Sequence, residues 1–162
     1  MGATGPHFTD AELQCPHCKV NGMKQEAVDL FEDVRAKAEE YFGGGRVRML
    51  PDSAYRCEEH NAAVGGAPRS QHMQGLALDF RMQVGQDRGK GKIEWVPVQP
   101  KTVEEIARKS QKLGGIGRDD ERGFVHIDAR PRTTALPACW CYSGGKEVAY
   151  YKAGVQSTEG AA

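Results

Sequence analysis

Two helical periods and several short alternating segments, out of strand–helix–strand order, predict an α+β fold. The expected architecture is a small antiparallel sheet flanked by helices. The stronger helical period runs from Gln25 to Phe42, where Ala27, Leu30, Phe31, Val34, Ala38 and Tyr41 recur at three- and four-residue steps. Gly43-Gly44-Gly45 stops it. The second period follows Thr102, which forms a capping-box pattern with Glu105. Val103, Ile106 and Leu113 supply its apolar stripe, and Gly114-Gly115 ends it.

The strand candidates are short. Arg46 to Leu50 alternates Val47 and Met49 against Arg46 and Arg48. Ala77 to Met82, Ile93 to Val98 and Phe124 to Ala129 read the same way. Residues 1–24 look irregular, with Cys15-Pro16-His17-Cys18 and Asn21-Gly22 as turn chemistry. Pro51 to Ser70 reads as a long loop with a helical turn near Glu58 to Val64. Val84 to Lys92 reads as a polar loop or hairpin tip, placed either over a cleft or as surface filler. Residues 1–154 are expected to form one domain, and 155–162 a disordered tail.

Composition narrows the class. The chain has 162 residues, with 22 Lys+Arg balancing 22 Asp+Glu. A neutral chain argues against a nucleic-acid binder held by phosphates. No stretch approaches the roughly 18 apolar residues of a membrane span. The N-terminus shows neither a basic nor an apolar signal region, so synthesis in a cytoplasm is expected. At this length a chain buries roughly 70% of its unfolded surface and needs no disulfide scaffold.

Five histidines and five cysteines carry the metal-ligating potential. In Ser70-Gln71-His72-Met73-Gln74-Gly75-Leu76-Ala77-Leu78-Asp79, a histidine and an aspartate bracket an apolar run. His126, between apolar neighbours in Gly123-Phe124-Val125-His126-Ile127-Asp128, is the best third ligand. Three protein ligands plus one open position make a catalytic zinc site. Considered alone, a histidine in a strand is usually a satisfied core or surface residue.

The stretch Ser53 to Ala67, the string Ser70-x-His72-x-x-Gly75-x-Ala77-x-Asp79, Gly114-Gly115-Ile116-Gly117 and Phe124-Val125-His126-Ile127-Asp128 together resemble the zinc D-alanyl-D-alanine carboxypeptidases. That family includes VanY-like carboxypeptidases and peptidoglycan endopeptidases, phage lysins among them. The resemblance runs from about Phe8 to Arg132 and implies the Hedgehog/DD-peptidase fold. It implies His72, Asp79 and His126 as zinc ligands, Zn2+ as cofactor and a peptidoglycan stem peptide as substrate. It implies Arg56 as a substrate residue, and a guanidinium fork suits a peptide carboxylate. The other reading of Arg56 is a surface salt bridge to Glu58 or Glu59. Ser70 and Gln71 are close enough in sequence to His72 to bind substrate, and a turn role for Ser70 is the alternative.

The chain departs from the pattern at the general base. Many relatives place it two or three residues before the last ligand, where this sequence has Phe124 and Gly123. Asp128 shares a strand face with His126 and is either the base or the partner that orients a ligand histidine. Glu121, in a polar loop, is the second candidate.

Cys15-x-x-Cys18 and Cys139-x-Cys141 leave three readings open: a second, structural zinc, a disulfide such as Cys18 with Cys57, or inert thiols. A redox motif lacks its strand–helix–strand context. The expected function is a zinc peptidase, monomeric, cutting stem peptides as a D,D-carboxypeptidase or an endopeptidase. It would act at the cell wall after a phage-type release. A non-catalytic wall-peptide binder of the same fold is the alternative, kept open by the missing upstream base.

Overall fold

The structure, a computed structural model, describes residues 2–150. The tail expected from Val155 to Ala162 lies outside the described residues. Helix α1 (Asp10–Leu13) opens the chain, with Thr9 and Glu12 forming a reciprocal capping box. This Thr9-x-x-Glu12 cap places a helical turn inside a segment whose turn residues predict irregular structure. Helix α2 (Gln25–Tyr41) follows the predicted period and buries Ala27, Val28, Leu30, Phe31, Val34 and Ala38.

A mixed seven-stranded sheet carries the rest. Strand β1 (Arg46–Ser53) pairs antiparallel with β2 (Ala77–Asp87). Between them, α3 (Glu58–Ala63) occupies the predicted helical turn. The other edge of β2 is shared by two strands. β5 (Phe124–Asp128) takes residues 77–80, and β3 (Ile93–Pro97) takes residues 83–87. Strand β2 therefore extends into the polar segment expected to be a loop, and only Arg88 to Lys92 forms the hairpin tip. That tip lies away from the cleft described below.

Helix α4 (Pro100–Ala107) begins a turn earlier than predicted. Pro100 sits in its first turn, where its fixed φ and missing N–H cost nothing. Thr102 and Glu105 therefore fall inside the helix and form no cap. Leu113 is buried from the turn after α4 rather than from the helix itself. There the buried Ser110 hydroxyl donates to Asp33 of α2.

Strand β4 (Gly115–Asp119) forms a hairpin with β5. The segment 129–137 then crosses the end of β4, because both β5 and the incoming β6 (Ala138–Ser143) meet Gly115 there. Consequently β6 runs parallel to β4, while the other strand pairs among the described residues are antiparallel. Strand β7 (Lys146–Tyr150) closes the order β1-β2-β5-β4-β6-β7.

The core lies between this sheet and helices α2 and α4. Leu78, Phe80, Met82, Val125, Ile127 and Ile116 meet Phe31, Val34, Val103 and Ile106 in one cluster. Phe8 packs edge-on to Phe31, with ring centroids 5.8 Å apart. Each buried side chain of this size contributes about 1.5–3 kcal/mol by leaving water. The pleat sends alternate residues of β2 and β5 to the opposite face. Asp79, His126 and Asp128 belong to that set.

Candidate metal centre and cleft

Strand register builds the centre. Asp79 of β2 pairs directly with His126 of β5, and Ala77 pairs with Asp128. Directly opposed residues carry their Cβ atoms roughly 4.5–5.5 Å apart. The apolar neighbours Leu78, Phe80, Val125 and Ile127 lock this register by burying their own face. His126 Nδ1 consequently lies 2.8 Å from Asp79 Oδ1.

His72 comes from the turn before β2. Its Nδ1–H donates to the Ala54 carbonyl at 2.7 Å, which aims Nε2 at Asp79 Oδ1, 3.2 Å away. His72, Asp79 and His126 thus bring one ligand atom each within 4.8 Å of one another. Both imidazoles are buried, and Asp79 is half-buried.

Asp128 is fully buried behind His126. Its Oδ2 accepts from His126 Nε2 at 2.8 Å. Arg130 forks onto both carboxylate oxygens, Nε to Oδ1 at 2.7 Å and Nη2 to Oδ2 at 2.6 Å. Room for this pair comes from β4: a Cβ on Gly115 would sit 2.7 Å from Asp128 Oδ2, and one on Gly117 would strike the Trp140 ring at 2.2 Å. The Gly115-x-Gly117 pattern is therefore a space requirement of the site.

Electrostatics follow from these contacts. Burial opposes charge on Asp79, but His72 and His126 overcome it and hold the carboxyl well below its ordinary range. Asp128 is likewise held low against burial, by hydrogen bonds from His126 and Arg130. His126 resists burial because Asp128 and Asp79 flank it, and its pKa rises to about 9. Burial lowers that of His72.

The centre forms part of the wall of a cleft of about 850 Å³. Arg56 reaches into it from the segment before α3. Its Nη2 lies 3.5 Å from Asp79 Oδ2, its Nε donates to Ser53 Oγ at 3.0 Å, and its Nη1 donates to Asn61 Oδ1 at 3.2 Å. Arg56 faces the metal centre; its recorded ion pair is with Asp79 and not with Glu58 or Glu59. Ser70 and Gln71 also line the cleft. Ser70 Oγ accepts from the His72 amide at 3.3 Å, so it shapes the turn that presents His72. Glu121 is elsewhere, accepting from Ser143 Oγ and the Gly144 amide at 3.2 Å each, in the β6–β7 turn. It does not line the cleft.

Trp140, Tyr142 and Arg130 join the cleft wall unannounced by the sequence reading. Trp140 and Tyr142 are two apart on β6 and share a face. The Trp140 ring lies 5.2 Å from His126, and the Arg130 guanidinium lies 5.1 Å from Trp140. Burial raises the Tyr142 pKa to about 12, so its hydroxyl stays protonated as a donor. Alternation of Trp140 and Tyr142 was the available signal, but nothing local announces which edge β6 joins.

The cysteines separate. Cys139 is buried in the core, donating to the Pro137 carbonyl at 3.6 Å. Cys15, Cys18 and Cys57 gather instead at the N-terminal flank. All five are free thiols, and no Cys18–Cys57 disulfide forms. Burial pushes the Cys15 thiol up, but the amides of Cys57, Cys18 and His17 outweigh it and bring it to about 7.

Mixed nitrogen and oxygen donors opening onto a cleft are the set that a catalytic metal takes. Residues 6–128 match the family model described as Peptidase M15, and the chain belongs to this metallopeptidase family. No curated protein and no solved structure matches it. No helix among the described residues is long and apolar enough to cross a membrane.

Proposed function

We propose that this chain is a zinc-dependent peptidase that cleaves peptidoglycan stem peptides, as a D,D-carboxypeptidase or an endopeptidase acting at the cell wall. The observation that carries the reading is the juxtaposition of the His72–Asp79–His126 donors with the Arg56 fork in one cleft. The donor set fits zinc: two imidazoles and one carboxylate, each turned toward a common point by a second contact. His72 would bind through Nε2, since its Nδ1–H is committed to the Ala54 carbonyl. His126 would bind through Nδ1, since Nε2–H is committed to Asp128. When bound, zinc lowers the pKa of a coordinated water to about 7 and polarises a carbonyl.

The chain's own groups do the rest. Arg56 binds a substrate carboxylate, the terminal group of a stem peptide, and places the adjacent peptide bond over the donors. Ser53 and Asn61 hold its guanidinium for that purpose. Gln71 and Ser70 border the same part of the cleft. Tyr142 offers a protonated hydroxyl at the wall, suited to donate a hydrogen bond to substrate. Asp128 acts through His126: both its oxygens are taken by His126 and Arg130, which suits an orienting partner and leaves no oxygen for a water's proton.

The test is digestion of purified peptidoglycan, with products read by mass spectrometry in the presence and absence of a chelator. Released D-alanine marks a carboxypeptidase, and cut stems or crosslinks mark an endopeptidase. Either should vanish with chelation and return with zinc. No product from zinc-loaded protein on any stem chemistry would overturn the enzymatic reading in favour of a wall-peptide binder.

A further inference from the structure

We propose that Cys15, Cys18 and Cys57, with His17 as the fourth donor, form a second zinc site that staples the N-terminal loop to the segment carrying Arg56. The three sulfurs lie within 4.8 Å of one another. Cys15 Sγ and Cys57 Sγ are 3.6 Å apart. Two thiolates on one tetrahedral zinc are roughly 3.8 Å apart, from a Zn–S distance of about 2.3 Å. A disulfide would need about 2.05 Å and would leave the third thiol without a role. His17 Nδ1 stands 3.5 Å from Cys57 Sγ and 3.6 Å from Glu59 Oε2, and it is the imidazole offered as fourth donor.

The backbone is shaped for the same purpose. Cys15-Pro16-His17-Cys18 folds into a tight turn, closed by Lys19 N–H to the Cys15 carbonyl at 2.9 Å and by Cys15 N–H to the Val20 carbonyl at 2.9 Å. Lys19 takes φ +60°, a left-handed conformation that a side chain disfavours. The turn therefore carries local strain at the residue after Cys18, and such strain persists only where surrounding contacts hold it. The Cys57 amide donates to Cys15 Sγ at 3.5 Å, and amide hydrogen bonds to sulfur favour a thiolate.

Binding forms metal–sulfur bonds and releases the thiol protons to solvent; no oxidant takes part. The consequence is mechanical. Cys57 directly follows Arg56, and the Tyr55 amide already donates to the Leu13 carbonyl at 3.3 Å. A metal here fixes the Cys57 end of a segment whose Tyr55 end is already bonded to the last residue of α1. The site is separate from the His72 centre, so it stands or falls independently of the peptidase reading.

Cobalt substitution tests it on the whole reduced chain. Stripped protein titrated with Co2+ should develop a sulfur-to-cobalt charge-transfer band in the near ultraviolet. That band should persist in His72→Ala and be lost in Cys57→Ser and Cys18→Ser. His17→Ala should shift the visible cobalt bands, and an unchanged spectrum would overturn its assignment as fourth donor. Wild-type protein needs no variant for a second readout: zinc should protect three thiols from a thiol reagent, and a chelator should expose them. Absence of the charge-transfer band, equal thiol reactivity with and without zinc, or an intact mass showing a disulfide would each overturn the proposal.

Discussion

Among the described residues, two clusters of side chains could hold a metal, and they are built differently. His72, Asp79 and His126 draw on paired strands β2 and β5 and on a turn pinned to Ala54, with oxygen and nitrogen donors opening onto a cleft. Cys15, Cys18 and Cys57 sit on loops at the N-terminal flank, with sulfur donors drawn from a local turn and one distant residue. Structural zinc sites close their coordination with protein ligands, often thiolates, whereas catalytic sites keep a position free. On this contrast, chemistry is proposed for the cleft and reinforcement for the flank.

The largest expected effects come from breaking each cluster in turn. His72→Ala should reduce peptidoglycan cleavage to background while leaving the thiolate-bound metal in place. Cys57→Ser should do the converse, losing the sulfur site and destabilising the fold. A metal present at 1,000 times its Kd contributes about 4.1 kcal/mol, so urea unfolding should show a loss of that order. If a chelator fails to destabilise His72→Ala, the flank carries no structural metal and the contrast collapses.

Asp128→Asn sharpens the cleft side. An orienting partner of a metal ligand should cost about 10–100-fold in metal affinity, with activity largely restored by excess zinc. A general base would behave otherwise, leaving metal affinity intact and kcat low at any zinc concentration. A smaller effect is expected at Arg56. Arg56→Lys keeps the charge but loses the fork, and should raise KM on the order of tenfold, since a charge-assisted hydrogen bond contributes about 1.5–3 kcal/mol. An equal fall in kcat with KM unchanged would contradict a substrate-gripping role.

The gentlest test is pH. In metal-free protein, His126 is raised from 6.5 to about 9 between Asp79 and Asp128. Its contribution to stability is therefore complete below pH 6.5 and lost as pH rises through about 9. Asp79 and Asp128 are lowered, so theirs is present above the ordinary carboxyl range near 3.8 and lost in stronger acid. Denaturant midpoints of chelator-treated protein should fall between pH 6.5 and 9. Metal affinity at the cleft should rise over the same interval, as His126 gives up its proton. A flat profile would show that the two carboxylates do not hold that proton.

Much of this was legible in the chain itself. The period in Gln25 to Tyr41 and the alternation in Arg46 to Leu50 and Ala77 to Met82 identified their elements, because burial on one face imposes a repeat. The resemblance pointed to His72, Asp79 and His126, and the structure brings these three side chains together. Other parts were not legible. Strands β4, β6 and β7 are short and partly polar, so their pairing depends on partners far along the chain. Helix α4 started at Pro100 rather than at the Thr102 pattern, because the proline already suits the first turn. Cys139 and Cys141 looked like the natural complement of Cys15 and Cys18, yet Cys57 fills that place.

By itself the sequence determined the α+β class and helix α2, both consequences of periodicity, while the His72, Asp79 and His126 set followed from the resemblance its motifs carry. Only the tertiary structure decided what those residues face. Cross-strand pairing set Asp79 against His126, Gly115 of β4 made space for Asp128 beside Arg130 and Gly117 for Trp140, and β6 brought Trp140 and Tyr142 to the cleft. The physical reason is that direction and neighbourhood across a sheet come from register and burial shared between distant segments, which no local pattern encodes.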